Sequence, residues 1–120
     1  MNRKNIPFQL VDWTKISSTE HKGLSGDALW KTIQFEGLRI RIVEYSKGYL
    51  ADHWCSKGHI VHCLKGSFIS ELQGGEKFTL SEGMTYIVTD ELSAHRSQSD
   101  NGVQLLIIDG DFLKYNDDLI

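Results

Sequence analysis

The sequence of 120 residues has few of the features that mark several large classes of protein. It contains one proline and two cysteines, and no run of the roughly 18 apolar residues that a membrane-spanning helix needs. Residues 1–7 also lack the apolar core of a secretory signal peptide. We therefore expect a cytoplasmic protein that does not bind membranes, in a reducing compartment that keeps both thiols free.

The charge balance shows no marked excess of either sign. Thirteen basic residues stand against 16 acidic residues, which gives a formal net charge of -3, and the charges are scattered along the chain. Nucleic-acid binding requires basic residues concentrated on one surface. The sequence therefore predicts no nucleic-acid partner and favours a small-molecule ligand or a protein partner.

Long helical periodicity is missing as well, and short apolar segments between glycine-containing turns take its place. The clearest segments are residues 28–35, 38–45, 67–73, 76–80 and 103–108. About nine short strands with such turns are typical of an antiparallel sandwich or barrel. The predicted fold class is therefore all-β.

A chain of this length suits one domain, which we place over residues 1–120. Residues 1–26 are expected to form an irregular N-terminal arm in which Asp12 caps a short turn. Residues 28–109 form the predicted barrel, and residues 110–120 form a C-terminal tail that begins with one helical turn.

Three of the five histidines and both cysteines lie within residues 52–66. If this stretch is a β-hairpin, residues 56–58 form its loop. Alternate residues of a strand share a face and opposed residues lie close, so Cys55 would lie opposite His59 and on the same face as His53. The hairpin would then bring two imidazoles and a thiol to one place.

The same register assigns the neighbouring side chains. His62 points to the opposite face from His59, as a surface or interface residue does, whereas Cys63 points inward but lies deeper, in the core. Trp54 faces away from the site, where it would pack under the N-terminal arm or in a dimer contact.

The segment 38–45 leaves two orientations open. Ile40 and its aliphatic neighbours share one face, and Arg39, Arg41 and Tyr45 share the other. We favour an inward aliphatic face with the arginines in water. In the alternative orientation, the arginines and the tyrosine line the pocket.

Glu71 also has two interpretations. A two-residue turn at Gly74 and Gly75 would set Glu71 opposite Phe78, on a largely apolar face near the hairpin tip. Because carboxylates are rarely buried unpaired, a solvated rim carboxylate is favoured over an acid or base in the pocket.

The spacing of these residues resembles the two sequence motifs of the cupins, which are small jelly-roll barrels with metal ligands in the barrel mouth. The first cupin motif has His-x-His, a Glu after three or four residues, and a Gly after six more. Here His53 and Cys55 stand at the His-x-His positions, His59 stands at the Glu position, and Gly66 follows after six residues.

The second cupin motif opens with Gly and closes with Pro-x-Gly-x-x-His. Gly83 and His95 occupy its ends here, with Asp90 and Leu92 at the Pro and Gly places, and Ser99 stands where an Asn often follows. The similarity to the cupin motifs runs from about residue 48 to residue 99, and it implies an antiparallel jelly-roll barrel.

More narrowly, residues 52–55 resemble a bacterial cupin family named for its Asp-His-Cys-Trp residues, over nearly the whole chain. This family has no assigned reaction, and the resemblance also implies a homodimer.

The cupin resemblance implies that His53, Cys55, His59 and His95 are metal ligands. A thiolate with imidazoles suits zinc, iron, nickel or copper, and does not suit magnesium or calcium. We predict a protein that binds or transforms a small anionic molecule beside such a metal; whether it is an enzyme stays open. The alternatives are a non-enzymatic ligand-binding or structural-metal module, a metal-free polar pocket, and a redox or nucleophilic Cys55 thiol.

Overall fold

The computed structural model describes residues 5–114 of the chain. These residues contain nine β-strands and two short 3-10 helices. Within these residues, no helix has the length and apolar character to cross a membrane. The elements in chain order are the 3-10 helix η1 (Trp13–Lys15), the strands β1 (Thr19–Lys22), β2 (Asp27–Phe35), β3 (Leu38–Tyr45), β4 (Tyr49–Leu50), β5 (His59–Leu72), β6 (Lys77–Ser81), β7 (Thr85–Val88), β8 (His95–Ser99) and β9 (Val103–Gly110), and the 3-10 helix η2 (Asp111–Leu113).

The strands form one curled antiparallel sheet in the order β1-β2-β3-β9-β5-β8-β4, with β6 and β7 also paired to β5. Strand β5 has 14 residues and belongs to both halves of the sheet: its first half pairs with β7 and β9, and its second half pairs with β6 and β8. A register shift between Cys63 and Lys65 marks the bend. The predicted all-β antiparallel jelly-roll fold is confirmed.

The core lies on the inner side of the curled sheet. Its buried members come mainly from β5 and β9: Val43, Val61, Cys63, Phe68, Leu80, Val103, Leu105 and Ile107. Every second residue of β9 is buried, because alternate side chains of a strand face the same side. Asp109 continues this buried series and therefore also points inward.

The hairpin of β2 and β3 forms as predicted. Phe35 pairs with Leu38, and Gly37 in the turn between them has a φ of 75°, in the left-handed region. A Cβ at Gly37 would also lie 2.7 Å from Asp111 Oδ2. The backbone conformation therefore favours glycine there, whereas the exposed Asp111 side chain could move away from a Cβ.

The hairpin predicted over residues 52–66 does not form. The segment before β5 is irregular, and Cys55 instead makes an isolated bridge with His95 through two backbone hydrogen bonds of 2.8 and 2.9 Å. The loop also binds the segment after β7, since Gly58 N donates to Asp90 Oδ1 at 2.6 Å. Distant segments satisfy these backbone groups, so local hairpin pairing is not needed.

The N-terminal arm is more ordered than predicted. Its last part forms β1, which pairs with β2 at the edge of the sheet, so residues 1–26 are not irregular throughout. Residues 1–4 of the predicted arm lie outside the described residues.

Both predicted terminal turns are present. Asp12 caps η1, because its Oδ1 accepts a hydrogen bond from Thr14 N at 3.0 Å. At the other end, η2 forms the helical turn at the start of the tail, and residues 115–120 of the tail lie outside the described residues.

The hairpin of β5 and β6 has a different register from the predicted one. Glu71 pairs with Lys77 and not with Phe78, because residues 73–76 form a longer connection than the expected two-residue turn. The Glu71 carboxylate is neither free in solvent nor unpaired. Its Oε1 lies 2.8 Å from Arg96 Nε, and its side chain is only 17% exposed.

The favoured orientation of β3 is wrong. Arg41 is only 5% exposed, and Arg39 and Tyr45 share its inward face. This orientation is possible because β9 places Asp109 directly beside Arg39, so the cationic side chains find an anionic partner inside the barrel.

Candidate metal and ligand site

A cavity of about 200 Å³ lies among side chains of strands β2 to β5 and β7 to β9 and of the irregular segment before β5. Two groups of polar residues line it, one with a thiol and imidazoles and one with guanidinium groups. The residues of these groups are Cys55, His59, His95, Arg39, Arg41 and Arg96.

Cys55, His59 and His95 form a compact group, here called the Cys-His-His cluster. One ligand atom from each residue lies within 4.8 Å of the others, and Cys55 Sγ is 3.5 Å from His59 Nε2. The two histidines begin β5 and β8 and are buried, while the thiol is half-buried. The backbone bridge between Cys55 and His95 closes the cluster, so its geometry depends on contacts between distant parts of the chain.

The structure does not bring His53 into this cluster. Its ring is 74% exposed, and its Nδ1 lies 2.6 Å from Asp52 Oδ1. His53 lines the cavity without joining the three converging ligand atoms. Three of the four predicted ligands therefore come together.

Asp109 supports the cluster from behind. It accepts hydrogen bonds from Arg39 Nε and Nη2 at 3.0 and 2.9 Å and from Arg41 Nη2 at 3.0 Å. His59 Nδ1 lies 3.2 Å from the same Oδ2 atom that both arginines contact. Burial alone would raise the pKa of Asp109, but His59 and the arginines outweigh it and hold the pKa well below its usual range, so the carboxylate is ionised.

The sequence-based prediction of site residues did not include Asp109, although the alternating pattern of β9 indicates that its side chain points inward. Val103, Leu105 and Ile107 are apolar at every second position, and Asp109 is the next position of the same series. A carboxylate that continues a buried series needs a charged partner inside the protein. Extending the alternation by one step would have placed it on the inner face.

The hydrogen bonds of the two histidines set which ring nitrogen faces the cluster. His59 donates from Nδ1 to the ionised Asp109, which leaves Nε2 toward Cys55. His95 donates from Nδ1 to Ser93 O at 2.9 Å, so its Nε2 carries a lone pair. Within residues 5–114 this buried Nε2 atom has no hydrogen-bond partner.

These observations fit a divalent transition metal. A buried nitrogen lone pair without a donor is unfavourable, and a metal ion would satisfy it. Histidine ligands commonly donate their other ring N–H to a carboxylate or a carbonyl oxygen, as His59 and His95 do here.

The cluster also favours the ionised thiol. Burial raises the pKa of Cys55, but the hydrogen bond with His59 and the other polar contacts of the thiol outweigh it and lower the pKa to about 5. Burial likewise lowers the pKa of His59, but its contacts with Asp109 and Cys55 raise it above the ordinary value. At neutral pH the metal-free cluster therefore holds a thiolate, which is the form that binds metals.

The cavity wall beside the cluster is basic and aromatic. The guanidinium of Arg41 lies 4.5 Å from the centre of the Trp30 ring, which is cation–π distance. Tyr45 and Tyr86 also line the wall, and burial raises the pKa of both phenols. They are therefore neutral hydroxyl groups at physiological pH.

Trp54 does not line the cavity and packs against Arg96, which does. The guanidinium of Arg96 lies 4.5 Å from its ring centre, and Arg96 is also paired with Glu71. Its absence from the cavity wall agrees with the expectation that it faces away from the site, and its packing under the N-terminal arm or in a dimer contact stays a prediction.

The predictions for the other two metal-capable side chains are confirmed. His62 lies on the outer face of β5, where its Nδ1 is 2.8 Å from Thr85 Oγ1. Cys63 is completely buried in the core, and both thiols are free.

No protein-family profile and no curated protein sequence matches this chain. Solved structures do match. A predicted oxalate decarboxylase from Thermotoga maritima aligns with a TM-score of 0.73 at 10% identity, over 85% of this chain and 99% of that chain. An RmlC-like cupin from Shewanella frigidimarina aligns with a TM-score of 0.68 at 14% identity, over 95% of this chain and 97% of that chain.

A cupin-like protein from Thermotoga maritima also aligns, with a TM-score of 0.69 at 14% identity, over 88% of this chain and 86% of that chain. At identities this low, the structural alignments establish the fold and say nothing of the reaction. The narrower resemblance to the Asp-His-Cys-Trp family stays a prediction. Together with the curled antiparallel sheet, these likenesses show that the chain is a small cupin-fold protein.

Proposed function

We propose that this protein binds a divalent transition metal through Cys55, His59 and His95, and that it binds or transforms a small anionic molecule in the adjoining cavity. The observation that carries the proposal is the convergence of the three ligand atoms within 4.8 Å. The buried lone pair of His95 Nε2, which has no partner in the described part of the chain, supports it.

The three ligand atoms restrict which metal ions the site can bind. One thiolate and two imidazoles suit zinc, iron, nickel or copper, whereas magnesium and calcium prefer oxygen ligands. Three protein ligands are typical of sites that keep a position open for water or substrate, while closed structural zinc sites use four. When bound, such an ion supplies Lewis acidity or a centre for dioxygen chemistry.

The side chains around the cluster orient and attract the ligand. Asp109 holds the ring of His59 in place, as a carboxylate behind a metal-binding histidine commonly does. The two arginines beside Asp109 carry one more charge than it neutralises. The cavity therefore favours an anion.

A non-enzymatic ligand-binding module is the second candidate function. Among residues 5–114, no carboxylate side chain lines the cavity, and Asp109 behind it is held in ion pairs. A carboxylate is therefore not available as a general base at this site, and a bound metal would also occupy the lone pairs of Cys55, His59 and His95, which favours binding over acid–base catalysis by these side chains.

The test is elemental analysis of the untagged protein beside the variants Cys55→Ser and His95→Gln. We expect about one metal ion per chain in the wild type and strong loss in both variants. His53→Ala and His62→Ala are matched controls, because both remove an imidazole that lies outside the cluster. Metal-free wild-type protein, or variants of the cluster that retain full metal content, would refute the proposal.

We further propose that the protein forms a homodimer through the outer face of its sheet. Five isoleucines form a continuous row across five strands, here called the isoleucine row: Ile33, Ile40, Ile108, Ile60 and Ile87. Ile87 at its end is 67% exposed. A partly exposed aliphatic face of this kind suits a second copy of the same face.

A further inference from the structure

Arg41 carries a donor that the described chain leaves unused. Its side chain is 6% exposed, its Nη2 donates to Asp109 Oδ2, and its Nε is buried without a hydrogen-bond partner among residues 5–114. A buried guanidinium N–H without an acceptor is costly. Because Arg41 lines the cavity, an acceptor supplied by a bound ligand would remove this cost.

The neighbouring Arg39 has a different arrangement. It uses both Nε and Nη2 to bind the two oxygens of Asp109, which is the bidentate arrangement that arginine forms with carboxylates. Arg39 therefore already holds Asp109 in place. Arg41 shares only one oxygen of that carboxylate and keeps its Nε free for another acceptor.

The surroundings of Arg41 keep its guanidinium rigid. Trp30 stacks with it at 4.5 Å, and its bond to Asp109 fixes it from another side. Asp109 Oδ2 also contacts His59, so Arg41 and the Cys-His-His cluster are joined through a single carboxylate atom. A ligand that binds Arg41 therefore lies next to the proposed metal.

We infer that Arg41 is the anchor for the carboxylate group of a short organic acid in the cavity, with the rest of the acid directed toward the cluster. This inference deepens the proposed function and rests on it. A planar carboxylate matches the guanidinium edge, and the positive charge left over by Asp109 favours an anion. The cavity of about 200 Å³ has room for about seven water molecules. A short organic acid such as lactate is small enough to fit in this volume.

The first experiment uses wild-type protein loaded with zinc and needs no variant. Calorimetric titration compares lactate with lactamide, which has nearly the same shape and no negative charge. Lactate and related short acids should bind at concentrations up to about 10 mM, and lactamide should bind at least about tenfold more weakly. Equal binding of acid and amide, binding of inorganic phosphate in preference to the acids, or no binding by any short acid would overturn the inference.

The second experiment compares Arg41→Lys with Arg39→Lys. Both variants keep the charge, and both replace an arginine that contacts Asp109. Arg41→Lys should weaken lactate binding at least about tenfold while its zinc content stays at the wild-type level. Arg39→Lys should weaken lactate binding less than Arg41→Lys does. If Arg41→Lys binds lactate as tightly as the wild type, the inference is overturned.

The two experiments separate this inference from the proposed function. Zinc content reports on the Cys-His-His cluster, and lactate affinity reports on Arg41. If zinc binds and the affinity for lactate does not depend on Arg41, the inference fails and the metal site stands. If zinc does not bind, the metal proposal fails, and the same titration on metal-free protein shows whether Arg41 still binds carboxylates. Melting curves of both variants verify that the barrel is folded.

Discussion

His59 Nδ1 and Asp109 Oδ2 lie 3.2 Å apart, and this contact joins the Cys-His-His cluster to the paired arginines behind it. His59 begins β5 and Asp109 lies near the end of β9, so two strands that pair in the sheet hold the contact. Because Asp109 is ionised and almost completely buried, it fixes both the orientation and the tautomer of the imidazole.

Asp109→Asn should weaken metal binding about 10- to 100-fold, because the neutral amide orients His59 less firmly and does not strengthen its basicity. Competition with a coloured chelator measures this affinity. Asp100→Asn is a matched control, since Asp100 is an exposed residue in a turn. An unchanged affinity in Asp109→Asn would show that the carboxylate does not support the site.

The contribution of Asp109 to stability should depend on pH. Its pKa in the folded protein lies below the value in the unfolded chain, so its ionised form stabilises the fold above the unfolded pKa of about 4. This contribution is lost as pH falls through the lower folded pKa. The difference in melting temperature between the wild type and Asp109→Asn should therefore be large at pH 7 and shrink on acidification, and a constant difference would contradict this assignment.

The Cys55 thiol of metal-free protein should stay reactive in mild acid. Because its pKa is lowered from 9.0 to about 5, the alkylation rate should fall only as pH drops through about 5. His59→Ala should move this midpoint back toward the ordinary thiol value, since the hydrogen bond to the sulfur is lost. Measurements in a Cys63→Ser background report on Cys55 alone, and a wild-type midpoint near 9 would contradict the thiolate cluster.

Zinc should raise the melting temperature of the wild-type protein, because a ligand that binds the folded state alone stabilises it by mass action. Cys55→Ser should lose this increase, and His53→Ala should keep it. Differential scanning fluorimetry with and without zinc measures both. The cluster assignment fails if zinc stabilises Cys55→Ser and the wild type equally.

Ile87→Lys should convert a dimer into a monomer, since it places a charge in the isoleucine row. The monomer should keep its fold, because Ile87 is 67% exposed and surface substitutions usually change stability by less than about 0.5 kcal/mol. Light scattering after size-exclusion chromatography measures the mass. Leu92→Lys is the control, because Leu92 is 59% exposed and lies outside the row; a monomeric wild type would refute the dimer.

The sequence was sufficient for the features that depend on local structure. Alternating apolar residues and a left-handed glycine specify the hairpin of β2 and β3, because strand periodicity and turn geometry act over a few residues. The types of side chain near Cys55 also predicted a group that could hold a metal, and the transition-metal assignment itself stays a prediction. The motif spacing identified His95 as the distant member of the group.

Only the tertiary structure decided the features that depend on distant contacts. Backbone pairing with His95, and not with a neighbouring strand, places Cys55 in the cluster and leaves His53 in solvent. Likewise, β3 turns its arginines inward because Asp109, far along the chain, supplies the compensating charge. Periodicity identifies which residues share a face, but the partner across the sheet determines whether that face lies inside.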